Sequence, residues 1–290
     1  MASLSDILSP DRLPAMPAAM ARVLPMVLDH ESDLLDLENV IRTDEALTAA
    51  VLRMANSAMY GVSGQQFDLR RSIARMGRYP LQRCVLQQQT SQLLAGDNDA
   101  FGLQRGATWR SSLAGAIAAE ELAREHSPDD VPLAFVCGLM RDIGKLALNV
   151  TFGKDYLSLT AAHHCAGRSF VEVELDALGF DHALIGAALA RQWCLPERIA
   201  AAIEWHHAPP APGPAHDPLY DIVHAADMIC LWAGPGLGID GLDYRLAEHV
   251  RENLNLTRRS VEHLIAVVWQ KMTDEEQALG TSGEQQGAAA

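Results

Sequence analysis

Positive charge is in short supply. Lys and Arg number 23 against 37 Asp and Glu, a formal net charge of −14. Nucleic acids and anionic lipid surfaces are bound through basic patches that release counterions. The balance therefore argues against a nucleic-acid partner and a membrane partner. Also missing are an apolar run long enough to span a bilayer and a charged N-terminal region followed by an apolar one, so a cytoplasmic protein is expected. The five cysteines, at 84, 137, 165, 194 and 230, never form a C-x-x-C pair. Reduced thiols, mostly in apolar runs, are the expectation. Neither a glycine-flanked serine elbow nor a P-loop pattern is present, and no convincing alternating stretch suggests a strand.

What remains is a chain of helical periods. Leu34, Leu35, Leu37, Val40 and Ile41 recur at helical spacing, with Asp44 placed as N-cap for the next element. That element puts Leu47, Val51, Met54 and Ala58 on one stripe and ends near Gly61, a plausible C-terminal stop. Arg70, Arg71, Arg75, Arg78 and Arg83 form a local basic cluster, read as a solvated helix face or a source of intramolecular ion pairs. Further helices are expected over 109–126, from Pro132, over 156–165, 170–178 and 182–193, from Pro196, and over 219–232, 244–254 and 260–272. The fold class is all-α, a helical bundle.

Cys137 to Leu148 organises the rest. It reads as a buried helix that ends at Arg141-Asp142 and turns at Gly144. An aspartate there is costly to bury unless it is paired or binds a cation. Downstream stand His182, the doublet His206-His207 and Asp227, ingredients of a divalent-metal site on a bundle. Against that, Arg141 precedes Asp142 where a metal site would have histidine.

These residues fall into a pattern. Leu13-Pro14-x-x-Pro17, Ile41-x-x-Asp44-x-Ala46-Leu47-Thr48 and Leu52-x-x-Ala55-Asn56-Ser57-Ala58-x-Tyr60-Gly61 lead to Trp109-x-x-Ser112 and Gly138-Leu139-x-x-Asp142-Ile143-Gly144-Lys145. Glu174-x-x-x-Leu178-Gly179-Phe180-Asp181-His182-x-x-x-Gly186 and Trp193-x-Leu195-Pro196 with Ile203-x-x-His206-His207 follow in order. Over about residues 13 to 208 the chain resembles HDOD domains, bacterial signalling modules related to the HD phosphohydrolases. The resemblance implies two packed helical subdomains. The expected divisions are an N-terminal extension over 1–12, an N-terminal helical subdomain over 13–97 and an HD-like helical subdomain over 98–208. C-terminal helices over 209–275 would complete the bundle, followed by a disordered tail over 276–290.

In a catalytic HD enzyme the metal is held by an early histidine, the His-Asp pair and a late aspartate. Matched onto this chain, those positions are Ser111, Arg141-Asp142 and Asp227, so both histidines are replaced. No metal is expected at these remnants, because Arg141 is permanently charged and, turned inward, would neutralise Asp142 or Asp227 bidentately. His182, His206 and His207 match positions that some HD relatives use for a second metal or a phosphate. They would form a three-imidazole pocket or serve as structural groups at helix ends. Lys145 is a phosphate-binding candidate by resemblance, or a helix-end cation.

The function the resemblance implies is a non-catalytic regulatory module without a cofactor, with a protein partner in a bacterial signalling pathway and a nucleotide or other small ligand as a further candidate. Homodimerisation is a further option. The alternatives are a weak phosphohydrolase with a weakly bound divalent metal, using Asp142, Asp227 and the three histidines, and a nucleotide-binding sensor without turnover.

Overall fold

The computed structural model describes residues 14–29, 33–60, 68–161, 167–214, 216–236 and 244–279, together with positions 7, 163 and 238. Gly61, Cys165, most of the 1–12 extension and the last residues from Gly280 lie outside the described residues. Among the described residues there is no strand. The nearest thing to one is a single bridge between Asn98 and Leu103.

The chain divides into two units, one of residues 16–93 with 269–290 and one of 1–15 with 94–268. The smaller contains α1 (Ala18–Leu28), α2 (Leu34–Arg42), α3 (Glu45–Ala55), α4 (Leu69–Met76) and α5 (Arg78–Leu93). Asp44 caps α3 by accepting from the Leu47 amide at 3.0 Å. Leu47, Val51 and Met54 are buried along one face of it, as a helical stripe requires. Asn56 closes the same helix by donating to the Leu52 carbonyl at 2.8 Å, so it is a satisfied helix end. The arginine cluster supplies ion pairs: Arg70 meets Glu38 at 3.3 Å, and Arg83 with Gln87 engages Glu275.

The larger unit carries α6 (Ala107–His126), α7 (Val131–Met140), α8 (Ile143–Phe152), α9 (Asp155–Ala161), α10 (Phe170–Leu178), α11 (His182–Gln192), α12 (Glu197–Trp205), α13 (Pro218–Ala233) and α14 (Glu248–Asn253). The last helix, α15 (Arg258–Leu279), begins in this unit and ends in the other. It makes Glu276 to Leu279 helical, correcting the expected start of the tail. Cys137 and Cys230 are buried free thiols, but Cys194 is exposed.

Within the larger unit α6 packs on α7 and α13, while α11 packs on α8 and α12. Small residues set how closely these helices approach. A Cβ at Gly138 would stand 2.5 Å from the Gly115 carbonyl oxygen and 2.9 Å from the Ala116 Cα. The turn expected at Gly144 lies earlier, at Arg141-Asp142, and Gly144 is already in the first turn of α8. Its role is close approach: a Cβ there would run into the His182 carbonyl oxygen and stand 2.7 Å from the Gly186 nitrogen. The helix expected over 244–254 is shorter, starting at Glu248. Ahead of it the Ala247 amide donates to His224 Nε2 at 3.0 Å, and the Tyr244 ring stacks on His207.

Candidate functional site

All seven candidate ligand-binding residues and Ser111 come from the larger unit, and they converge. Arg141 sits where α7 turns into α8, with its side chain 1% exposed. Nε donates to Asp227 Oδ1 at 2.7 Å, and Nη1 donates to the carbonyls of Gly138 at 2.9 Å and Ser111 at 3.2 Å. Nη2 donates to Ser111 Oγ at 3.1 Å and Cys230 Sγ at 3.3 Å, and lies 3.2 Å from Asp142 Oδ2. Every guanidinium N–H therefore has a partner. The inward turn expected from the sequence is present, but the guanidinium bridges both carboxylates instead of gripping one bidentately.

Space for that guanidinium comes from α6. A Cβ at Gly115 would collide with Arg141 Nη1 and lie 2.6 Å from Cζ. Gly115 and Cys230 carry no signal in the sequence that connects them to Arg141.

Asp142 is 4% exposed and faces two cations, Arg141 at Oδ2 and Lys145 Nζ, 2.9 Å from Oδ1. Burial alone would raise its carboxyl, but Lys145 and then Arg141 outweigh burial and hold it well below the ordinary carboxylate range. Asp227 is likewise pushed up by burial and pulled well below its usual value by Arg141 and His207. Lys145 lies in the first turn of α8, the positive end of the helix dipole, so it is not a C-terminal cation. Asp142 answers it.

Opposite stand three imidazoles. His182, the first residue of α11, presents Nδ1 to Glu174 Oε2 at 2.6 Å. Glu174, whose role was not apparent from the sequence, also accepts from the His182 amide and the Tyr156 hydroxyl. His206, at the end of α12, presents Nδ1 to the Ile203 carbonyl at 2.5 Å. His207 turns Nδ1 toward Asp227 Oδ2, 3.3 Å away, and stacks on Tyr244 with ring centroids 4.3 Å apart. His224 fixes the doublet from behind, donating from Nδ1 to the His206 carbonyl at 2.8 Å.

The Nε2 atoms of His182 and His207 stand 2.8 Å apart. Two lone pairs cannot face each other at that distance, so a proton lies between them. Burial disfavours the charged form of His182, but Glu174 overcomes it and the pKa is raised. His206 is driven well below its ordinary value by burial and by neighbouring His207.

The metal that the HD resemblance implies does not fit at Ser111, Arg141, Asp142 and Asp227, because the Arg141 guanidinium fills the space between the two carboxylates. A different set brings its nitrogen and oxygen atoms close together. Ligand atoms of Asp142, His182, His206 and His207 all lie within 4.8 Å of one another.

A family model for the HDOD domain matches residues 13–209. The chain belongs to the HDOD family. Solved structures with this fold include a candidate signal transduction protein from Marinobacter aquaeolei VT8 (TM-score 0.74, 20% identity, 98% of this chain and 62% of that one). An HDOD domain protein of unknown function from Geobacter sulfurreducens has a TM-score of 0.71 at 21% identity, covering 92% of each chain. A candidate phosphohydrolase from Shewanella amazonensis SB2B has a TM-score of 0.68 at 24% identity, covering 96% of this chain and 98% of that one. At these identities the likeness is one of fold. An uncharacterised protein of Treponema pallidum (strain Nichols) is 27% identical over 231 residues, 78% of this chain and 43% of that protein. The chain thus spans less than half the length of this curated relative. Among the described residues no helix is long and apolar enough to cross a membrane.

Proposed function

We propose that this HDOD chain is a non-catalytic regulatory module of a bacterial signalling pathway, acting in the cytoplasm by binding a protein partner or a small ligand. One observation carries the reading: the Arg141 guanidinium stands between Asp142 and Asp227 with all its donors engaged. Metal-assisted phosphoester hydrolysis needs a Lewis acid with an open position for water. Here a permanent, fully coordinated organic cation takes the place beside both carboxylates and offers no such position. The Lys145 ammonium, a phosphate-binding candidate by resemblance, is drawn to Asp142 at 2.9 Å.

The rival is a weak phosphohydrolase that works through Asp142, Asp227 and the histidines. Turnover of cyclic dinucleotides, guanosine polyphosphates and a generic phosphodiester, measured with added manganese, iron or zinc, separates the two. The regulatory reading expects no turnover above buffer. Turnover that disappears in Asp142→Ala/Asp227→Ala, with that variant still folded, would overturn it.

A further inference from the structure

We propose that His216, Asp221 and His249 form a separate ligand site, which takes a single divalent ion of the zinc class and clamps α14 onto the start of α13. The proposal goes beyond the regulatory reading and does not depend on it.

An unanswered buried charge is the first support. Asp221 lies in the first turn of α13 with its side chain 2% exposed. Among the described residues, the side chains within ion-pair distance of it are two imidazoles. His216 Nε2, just ahead of α13, is 3.0 Å from Oδ2, and His249 Nε2, on α14, is 3.8 Å from Oδ1. Asp142 and Asp227 have Arg141 beside them; Asp221 has no such permanent cation among the described residues. Taking a carboxylate out of water is costly unless an opposite charge meets it. His224, one turn along α13, brings none, because its Nδ1 donates to the His206 carbonyl and its Nε2 accepts from the Ala247 amide.

Unmet valence is the second. Asp221 Oδ1 and His249 Nε2 are both shielded from solvent, and neither has a hydrogen-bond partner. A buried polar atom without a partner is costly. The two atoms face each other across 3.8 Å, too far for a hydrogen bond. Zinc bonds of 2.0–2.2 Å hold tetrahedral ligand atoms about 3.3–3.5 Å apart. An ion therefore fits between them after an approach of a few tenths of an ångström.

The donor set is the third. Asn253 Nδ2 donates to Asp221 Oδ2 at 2.8 Å, which orients the carboxylate and turns Oδ1 toward His249. Outer hydrogen bonds of this kind hold ligating carboxylates in place. His216 leaves Oδ2 for the ion as the third protein ligand, and water takes the fourth position. Two imidazoles with one carboxylate suit zinc better than calcium or magnesium. The imidazoles are 13% and 25% exposed, so the ion reaches Asp221 from solvent past their edges.

The clamp bears on the histidine cluster. The residues that lead into α14 place Tyr244 on His207 and Ala247 on His224. An ion that joins Asp221 to His249 steadies those contacts, which gives the module a metal-responsive wall beside its candidate ligand site.

The test is equilibrium dialysis of the full chain against Zn²⁺, with bound metal counted by mass spectrometry, for the wild type, His249→Gln and Asp221→Asn, each checked for folding by circular dichroism. The cluster around Asp142 is common to all three, so the difference in metal content reads the Asp221 site alone. At a zinc concentration that saturates the wild type, each variant should hold one ion fewer per chain. Zinc should also raise the Tm of the wild type more than that of either variant. Should either variant fail to fold, His216→Gln takes its place with the same expected loss. Equal zinc content in the wild type and the folded variants would overturn the proposal, as would a wild type that takes up no zinc.

Discussion

Gly115 on α6 leaves open the space that the Arg141 guanidinium fills: a side-chain carbon at residue 115 would stand 2.6 Å from Arg141 Cζ. The buried cation thus depends on a residue far away in sequence that contributes only the absence of a Cβ. Gly115→Ala forces the guanidinium off Asp227 or pushes α6 and α7 apart. Overpacking of this kind costs about 1–3 kcal/mol, and urea unfolding should show a loss in that range. Alanine's higher helix propensity, which favours such a substitution at an open helix position, is outweighed here because the methyl meets a charged, fully coordinated group.

Thiol chemistry checks the packing independently. Burial pushes the Cys84 thiol up to about 12 and raises those of Cys137 and Cys230 as well. Thiolate is the reactive form. Iodoacetamide at a mildly alkaline pH of about 8, close to the ordinary thiol pKa, should therefore modify Cys194, which is exposed, and leave the three buried thiols intact until denaturant is added. Peptide mapping by mass spectrometry reads the result; modification of Cys230 in the native protein would contradict the packing around Arg141.

Glu174 and His182 make the site sensitive to pH in a defined direction. The folded-state pKa of His182 lies above the ordinary 6.5 because Glu174 outweighs the cost of burial. The unfolded chain holds that proton less tightly. Stability from the pair is therefore fully present below pH 6.5 and is lost as pH rises through the raised value. Glu174→Gln should cost about 1.5–3 kcal/mol at about pH 6, in the range for hydrogen bonds to charged groups. The difference from the wild type should shrink toward alkaline pH. The lowered pKa of His206 acts in the opposite direction but is common to both proteins and cancels in the comparison. A difference independent of pH from about 5.5 to about 8.5 would count against the assigned pairing.

Local features were legible in the sequence where the physics is local. Asp44 before an apolar stripe announced a capped helix, and the capped helix is there. Arg141-Asp142 at the end of an apolar helix announced that a charge would need an answer. Other features depend on partners distant along the chain. Gly144 reads as a turn because glycine serves both turns and close approaches, and only its proximity to His182 and Gly186 tells which. Glu174 appeared within a motif, but its service to both His182 and Tyr156 required the fold. Tyr244 on His207 and His224 behind His206 had no signal in spacing or composition, since each contact joins segments that only tertiary packing brings together.

Whether Arg141 acts as a structural cation between the two carboxylates is measured most directly by a double-mutant cycle with Asp227. Urea unfolding of Arg141→Met, Asp227→Asn and the double variant supplies the three energies. Arg141→Met should cost about 3–5 kcal/mol, because it leaves buried carboxylates without their counter-charge. Adding Asp227→Asn should restore part of that loss, with a coupling on the order of 2–3 kcal/mol. A cost of Arg141→Met below about 1 kcal/mol, the range of an exposed ion pair, with strictly additive energies, would contradict the assignment.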